Sequence, residues 1–174
     1  VLTGDDVMIG GFIIGGSTAK TVLIRARGPS MIPAGVTNAL PDPQVTLVNS
    51  SQTIIASNDD WNDAVNAGAI STTGLAPTSA LESAILVTLQ PGAYTAVVSG
   101  YGGVTGVGIV EVFEIDSPEV PLTNISTRGR VLTGDDVLIG GFFIDGVGAK
   151  SVLIRARGPS MLAAGVTGVL ANPQ

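Results

Sequence analysis

Five oxygen-bearing side chains fall within six consecutive residues at Asn58, Asp59, Asp60, Asn62 and Asp63. Hard cations such as Ca²⁺ take about six to eight oxygen ligands, so this run is the metal-loop candidate of the chain, with calcium as the expected ion. The alternate spacing of Asn58, Asp60 and Asn62 matches the start of an EF-hand. However, Asp63 stands where that loop needs Gly and Ala69 where it needs Glu, so the EF-hand itself is excluded. The competing reading is a turn in which Asp59 or Asp60 caps a short helix beginning near Trp61.

Other chemistry is sparse. The chain has no His and no Cys, which removes imidazole bases, thiol nucleophiles, disulfides and the zinc sites built from those ligands. The carboxylates of Asp5 and Asp6, like those of Asp59 and Asp60, are adjacent in sequence, so their spacing defines no acid–base pair. Gly28-Pro29-Ser30 lacks the nucleophile-elbow pattern, and the run from Gly100 to Thr105 misses the last glycine of a dinucleotide fingerprint and leads into a strand. No enzyme is expected. Eight Lys and Arg against 14 Asp and Glu give a net charge of −6, with no basic footprint for nucleic acid.

The elements that would position these residues repeat within the chain. Residues 131–174 align with residues 1–44 without a gap and differ at 12 of the 44 positions. VLTGDDVMIGGF returns as VLTGDDVLIGGF, and AKTVLIRARGPSM as AKSVLIRARGPSM. The repeat unit is therefore 130 residues, and a 44-residue piece is too small to bury an adequate core alone. Asp116-Ser117-Pro118-Glu119-Val120-Pro121 reads as an extended connector. The expected division is a β-sandwich repeat over 1–116 that lacks its first strand, a connector over 117–121, and the first part of the next repeat over 122–174, docking on a neighbouring unit.

Runs rich in β-branched residues between Gly, Pro, Asn and Asp predict strands at Val7 to Ile14, Lys20 to Ala26, Val45 to Asn49, Thr53 to Ser57, Ser83 to Leu89, Ala93 to Ser99 and Gly106 to Ile115. Leu122 to Val131 reads as a further strand opening the next repeat, and Val137 to Ile144 and Lys150 to Ala156 are strand-like runs within it. Only Asp60 to Ala69 has a plausible helical turn. Period-two alternation places Val22, Ile24 and Ala26 on a core face, with Leu23, Arg25 and Arg27 opposite. The fold class is all-β: an antiparallel, jelly-roll-like sandwich of about seven to eight strands, with strand exchange or addition between repeats. The charge-free run from Ser83 to Val110 is broken by Pro91 and six glycines, so it reads as strands, and no membrane span is expected.

The order DPQVTLVNSSQTIIASNDDW, ESAILVTLQPGAYTAVVSG and TGVGIVEVFEID, over roughly Asp42 to Asp116, resembles the bacterial pre-peptidase C-terminal type of secreted β-sandwich. NISTRGRVLTGDDV, followed by IGGF and KTVLIRARGPS, is similar to a tandem extracellular repeat of surface proteins and fibril subunits in environmental bacteria. The resemblance implies a secreted, non-catalytic module, and members of the sandwich group can bind calcium through a loop of the DD type.

Assembly is the expected role: a structural subunit of an extracellular, cell-surface fibril that joins itself head-to-tail by strand donation, with no cofactor required. The contact is expected to use Leu122, Asn124, Ile125, Arg128 and Arg130, the apolar run with Val137, Ile139, Phe142 and Phe143, and charge pairing of Asp5 and Asp6 with Arg25, Arg27, Arg155 and Arg157. The alternative is a secreted calcium- or carbohydrate-binding accessory module in a surface stalk or adhesin. Asn49 and Asn124 lie in N-x-[ST] sequons, and Thr72 and Thr73 in a hydroxyl-rich loop, so glycans are a further candidate partner, although turn chemistry explains the same residues.

Overall fold

The computed structural model describes residues 1–116, 122–134, 137–144 and 146–174. The expected connector 117–121 therefore lies outside the described residues, as do Asp135, Asp136 and Asp145. The chain forms two compact units, Val1–Arg130 and Val131–Gln174.

The first unit is built from antiparallel strands: β1 Met8–Ile14, β2 Lys20–Arg27, β3 Pro43–Asn49, β4 Ile54–Asn58, β5 Ser83–Leu89, β6 Gly92–Gly100, β7 Ile109–Glu114 and β8 Leu122–Arg128. One sheet has the order β4-β3-β6-β1-β8 and the other β5-β2-β7. Both contribute to one core, Phe12, Val45, Leu47 and Val98 from the larger sheet meeting Val22, Ile24 and Ile85 from the smaller. The chain passes between sheets at nearly every connection, and only β3 and β4 are successive strands that pair directly. Gln90-Pro91-Gly92 is thus a turn from one sheet to the other.

Alternation decides which side chains go inside. In β1, Met8, Gly10, Phe12 and Ile14 are buried while the intervening residues are not. Phe12 stacks on Tyr94, its cross-strand partner on β6, with ring centroids 5.7 Å apart. Burial of such a side chain contributes about 1.5–3 kcal/mol. Gly10 keeps the sheets close, since a Cβ there would sit 2.9 Å from Cγ1 of Val110 on β7.

The outer face of β2 is also covered. Leu23 packs with Ile70 and Ala84 in a second apolar cluster, flanked by Trp61, Leu75 and Phe113. Its cover comes from the segment between β4 and β5, which contains a 3₁₀ turn at Trp61–Asp63 and the helix α1, Ala67–Thr72. The helical turn expected over Asp60 to Ala69 therefore forms as two short pieces, and Leu23, on the face opposite Val22 and Ile24, is also a core residue.

The second unit behaves differently. Among its described residues no strand forms, although the sequence predicts strand-like runs at Val137 to Ile144 and Lys150 to Ala156. A strand needs a hydrogen-bonded neighbour, and the neighbours of β1 and β2 in the first unit are β5, β6, β7 and β8, all outside the 44-residue repeat. What persists is the local 3₁₀ turn. Pro159–Ala164 reproduces Pro29–Ala34, with Gly165 and Gly35 both left-handed at φ 79° and 88°.

Candidate assembly edge and its charged clamps

β8 closes one edge of the larger sheet by pairing antiparallel with β1: Ile9 faces Arg128, Gly10 Thr127, Gly11 Ser126, Phe12 Ile125, Ile13 Asn124 and Ile14 Leu122. Leu122 packs against the core, while Asn124 and Ile125 are exposed. Expected to open the next repeat, β8 lies within the compact unit that ends at Arg130, so the unit boundary falls there rather than at Asp116.

A buried cation ties this edge to the smaller sheet. Lys20 shares the inward face of β2 with Val22, Ile24 and Ala26 and is fully buried. Its Nζ lies 2.9 Å from Oε2 of Glu114, at the end of β7, and donates to the carbonyl of Asp116 at 3.2 Å. The other oxygen of Glu114 accepts the backbone N–H of Leu122 at 2.8 Å, so one carboxylate joins β2, β7 and β8. Burial alone would raise the pKa of Asp116, but the Thr21 N–H, the Thr21 side chain and the Lys20 charge together hold it below the usual value.

Arg25 and Arg27, expected at a subunit contact, are engaged within the unit. Arg25 Nη2 meets Glu111 Oε2 at 2.7 Å and its Nε donates to the same oxygen at 2.9 Å; the guanidinium also lies over the Phe113 ring. Arg27 Nη1 is 3.6 Å from Glu111 Oε1, and its Nε donates to Ser30 Oγ at 2.8 Å. Register explains this, because Arg25 and Glu111 are direct partners across β2 and β7. The acidic turn finds its arginine inside the same unit: Arg130 Nη1 donates to Asp6 Oδ2 at 2.8 Å. Asp5 precedes it in the 3₁₀ turn Gly4–Asp6.

Glu82 is a second buried charge. One oxygen accepts the N–H groups of Gly28 at 2.9 Å and Ser30 at 2.8 Å; the other has no hydrogen-bond partner among the described residues. Sequence reading missed both Lys20 and Glu82, although the signal for Lys20 is present in its parity with Val22, Ile24 and Ala26.

The residues of the calcium candidate have separate surroundings, and Asp59 and Asp60 each keep a buried Oδ1 with no hydrogen-bond partner among the described residues. Asn58 clamps backbone instead, its Nδ2 donating to the Asp60 carbonyl and its Oδ1 accepting the Ala84 N–H. Asn62 and Asp63 are exposed, and among the described residues no three acidic side chains form a group that could hold a metal ion. Asp60 occupies the N-cap position before Trp61 without a side-chain cap bond. Burial, then the negative charges of Asp42 and Asp60, push the Asp59 pKa up; burial, then Asp60, does the same for Asp42.

The glycosylation candidates hold turns. Asn49 Oδ1 accepts the N–H groups of Ser51 and Thr53, fixing the β3–β4 hairpin, while the hydroxyls of Thr72 and Thr73 donate to the carbonyls of Gly68 and Ile70 in α1.

In the second unit the repeated side chains lack such partners. Phe142 is 51% exposed where its counterpart Phe12 is 1%, Leu153 83% where Leu23 is 0%, and Ile154 75% where Ile24 is 0%. Val137, Ile139 and Phe143 are exposed as well. Arg157 keeps the local bond to Ser160, at 3.1 Å, but among the described residues neither it nor Arg155 has an ion pair.

Compared with protein-family models, with curated proteins and with solved structures, the chain matches none. No helix among the described residues is long and apolar enough to cross a membrane.

Proposed function

We propose that the protein is a non-catalytic structural subunit of an extracellular bacterial filament, in which sandwich units join head-to-tail by adding strands to one another. The observation that carries this reading is the contrast between the two copies of the 44-residue block. Side chains that are sealed in the core of the first unit stand in solvent in the second. An apolar surface of that kind is costly in water and marks a surface that another chain segment covers. Coverage by strands that obey the first unit's register makes each unit a receiver and a donor, which is an open, non-closing series. The net charge of −6 lies wholly on residues 1–130, because three acidic and three basic residues cancel in 131–174, and it supports well-separated filaments. The extracellular placement rests on the resemblance of the repeat to secreted surface modules.

Negative-stain microscopy of the purified chain, with sedimentation across a concentration series, tests the proposal. Filaments and a mass that grows with concentration are expected. A single monomeric species at every concentration would overturn it.

A further inference from the structure

We infer that the outer face of the larger sheet holds a binding site for an acidic sugar residue, a hexuronate, seated over Gly11 with its carboxylate on Arg128. Arg128 is the exception among the cations of the first unit. Lys20, Arg25, Arg27 and Arg130 each meet a carboxylate oxygen, at 2.9, 2.7, 3.6 and 2.8 Å. Among the described residues Arg128 meets none and makes no side-chain hydrogen bond, although residues 1–130 carry the whole net charge of −6. Its planar fork of donors is therefore open to a carboxylate from outside the unit, which it can bind through two parallel hydrogen bonds.

Arg128 borders a groove of about 290 Å³, the size at which small-molecule sites begin. Ile9, Gly11 and Ile13 are the residues of β1 that point away from the core. Ile9 lies opposite Arg128, and Gly11 lies between Ser126 on β8 and Thr95 on β6. The missing side chain at Gly11 leaves a hollow with Ile9 and Ile13 at its ends and two hydroxyls at its sides. Neither hydroxyl is hydrogen-bonded among the described residues. Because β1 is laddered to β6 on one side and to β8 on the other, the floor offers no free backbone to which a peptide strand could add. Recognition here falls to side chains. A hexuronate matches them group by group: its C–H face lies on the two isoleucines, its hydroxyl rim reaches Ser126 and Thr95, and its carboxylate meets the guanidinium.

Saturation-transfer NMR on the full chain tests the site, with sodium glucuronate and its neutral match glucose as probes, in 0.15 M salt with a chelator. The readout serves monomer and filament alike, so its outcome is independent of the assembly reading. Glucuronate should bind with a dissociation constant on the order of 1 mM, as its size implies, and at least about tenfold tighter than glucose. Arg128→Gln should abolish that preference with the melting temperature unchanged. Gly11→Leu, whose Cβ has room at 3.4 Å from the Ser126 carbonyl oxygen and whose outer atoms fill the hollow, should remove binding of both sugars. No binding, equal binding of the two sugars, or a preference that survives Arg128→Gln overturns the inference. A glutamate-rich peptide that competes as well as glucuronate would also overturn it, since the site would then read a carboxylate without the sugar.

Discussion

Replacing Glu82 by Ala removes the one acceptor shared by the Gly28 and Ser30 N–H groups, at 2.9 and 2.8 Å. Each bond to a charged acceptor is worth about 1.5–3 kcal/mol net, and the Gly28 donor would remain buried. A loss of roughly 3–5 kcal/mol is expected for the two bonds together. Glu82→Gln keeps an oxygen where Oε1 stands and should cost about 1 kcal/mol. For a chain of this size the difference corresponds to a melting temperature lower by roughly 10 °C in the Ala variant, against a few degrees in the Gln variant. Trp61, the only tryptophan, reports locally, because its backbone N–H donates to the Glu82 carbonyl at 2.9 Å. Urea titration followed by its fluorescence should show a shifted midpoint with an unchanged slope. If Ala costs no more than Gln, the carboxylate does not hold this turn and the argument fails.

Three further outcomes follow from the same geometry. Gly28→Ala should cost more than about 3 kcal/mol, since its Cβ would overlap the Leu40 carbonyl, whereas Gly35→Ala, in open space at φ 88°, should cost about 1 kcal/mol; thermal denaturation of the pair checks the contrast. Asp59→Asn should raise the melting temperature at neutral pH: burial and neighbouring charge raise the folded-state pKa, so the wild type is relieved only as pH falls through that raised value, and the advantage should vanish by about pH 3.8. Asp116 has the opposite sign. Its folded pKa is lowered, so its contribution is present above about pH 3.8 and lost as pH falls toward the folded value, and Asp116→Asn should flatten the acid side of the stability profile.

Strand positions were legible because β-branched runs bounded by turn residues leave few alternatives; Ser83–Leu89 forms over the predicted residues, and Lys20 to Ala26 extends by one. Pairing was not legible. Ser83–Leu89 and Gly92–Gly100, separated by Pro91-containing turn residues, enter different sheets, which depends on distant partners. The same dependence explains why a nearly identical sequence forms β1 and β2 in one place and no strand among the described residues of the other. Sequence alone makes Arg25 an interface candidate, because a repeated exposed-face arginine has no partner nearby in the chain. Its partner, Glu111, lies 86 residues away and is brought opposite only by register.

The antiparallel contact of β1 with β8 also fixes how a filament would answer tension. Ile9 lies opposite Arg128, near the end of the unit, so a load applied at those two residues would act at the same end of one strand pair. Pulling there loads the ladder one hydrogen bond at a time, like a zipper, and not all at once as in shear. The Asp6–Arg130 ion pair stands close to the mouth of that zipper and acts as its latch. Beyond it, peeling the seven residues of β8 releases chain at about 3.3 Å per residue while the other strands stay paired. In the proposed filament such units would make a compliant thread that lengthens under modest load and recovers when the strands re-pair.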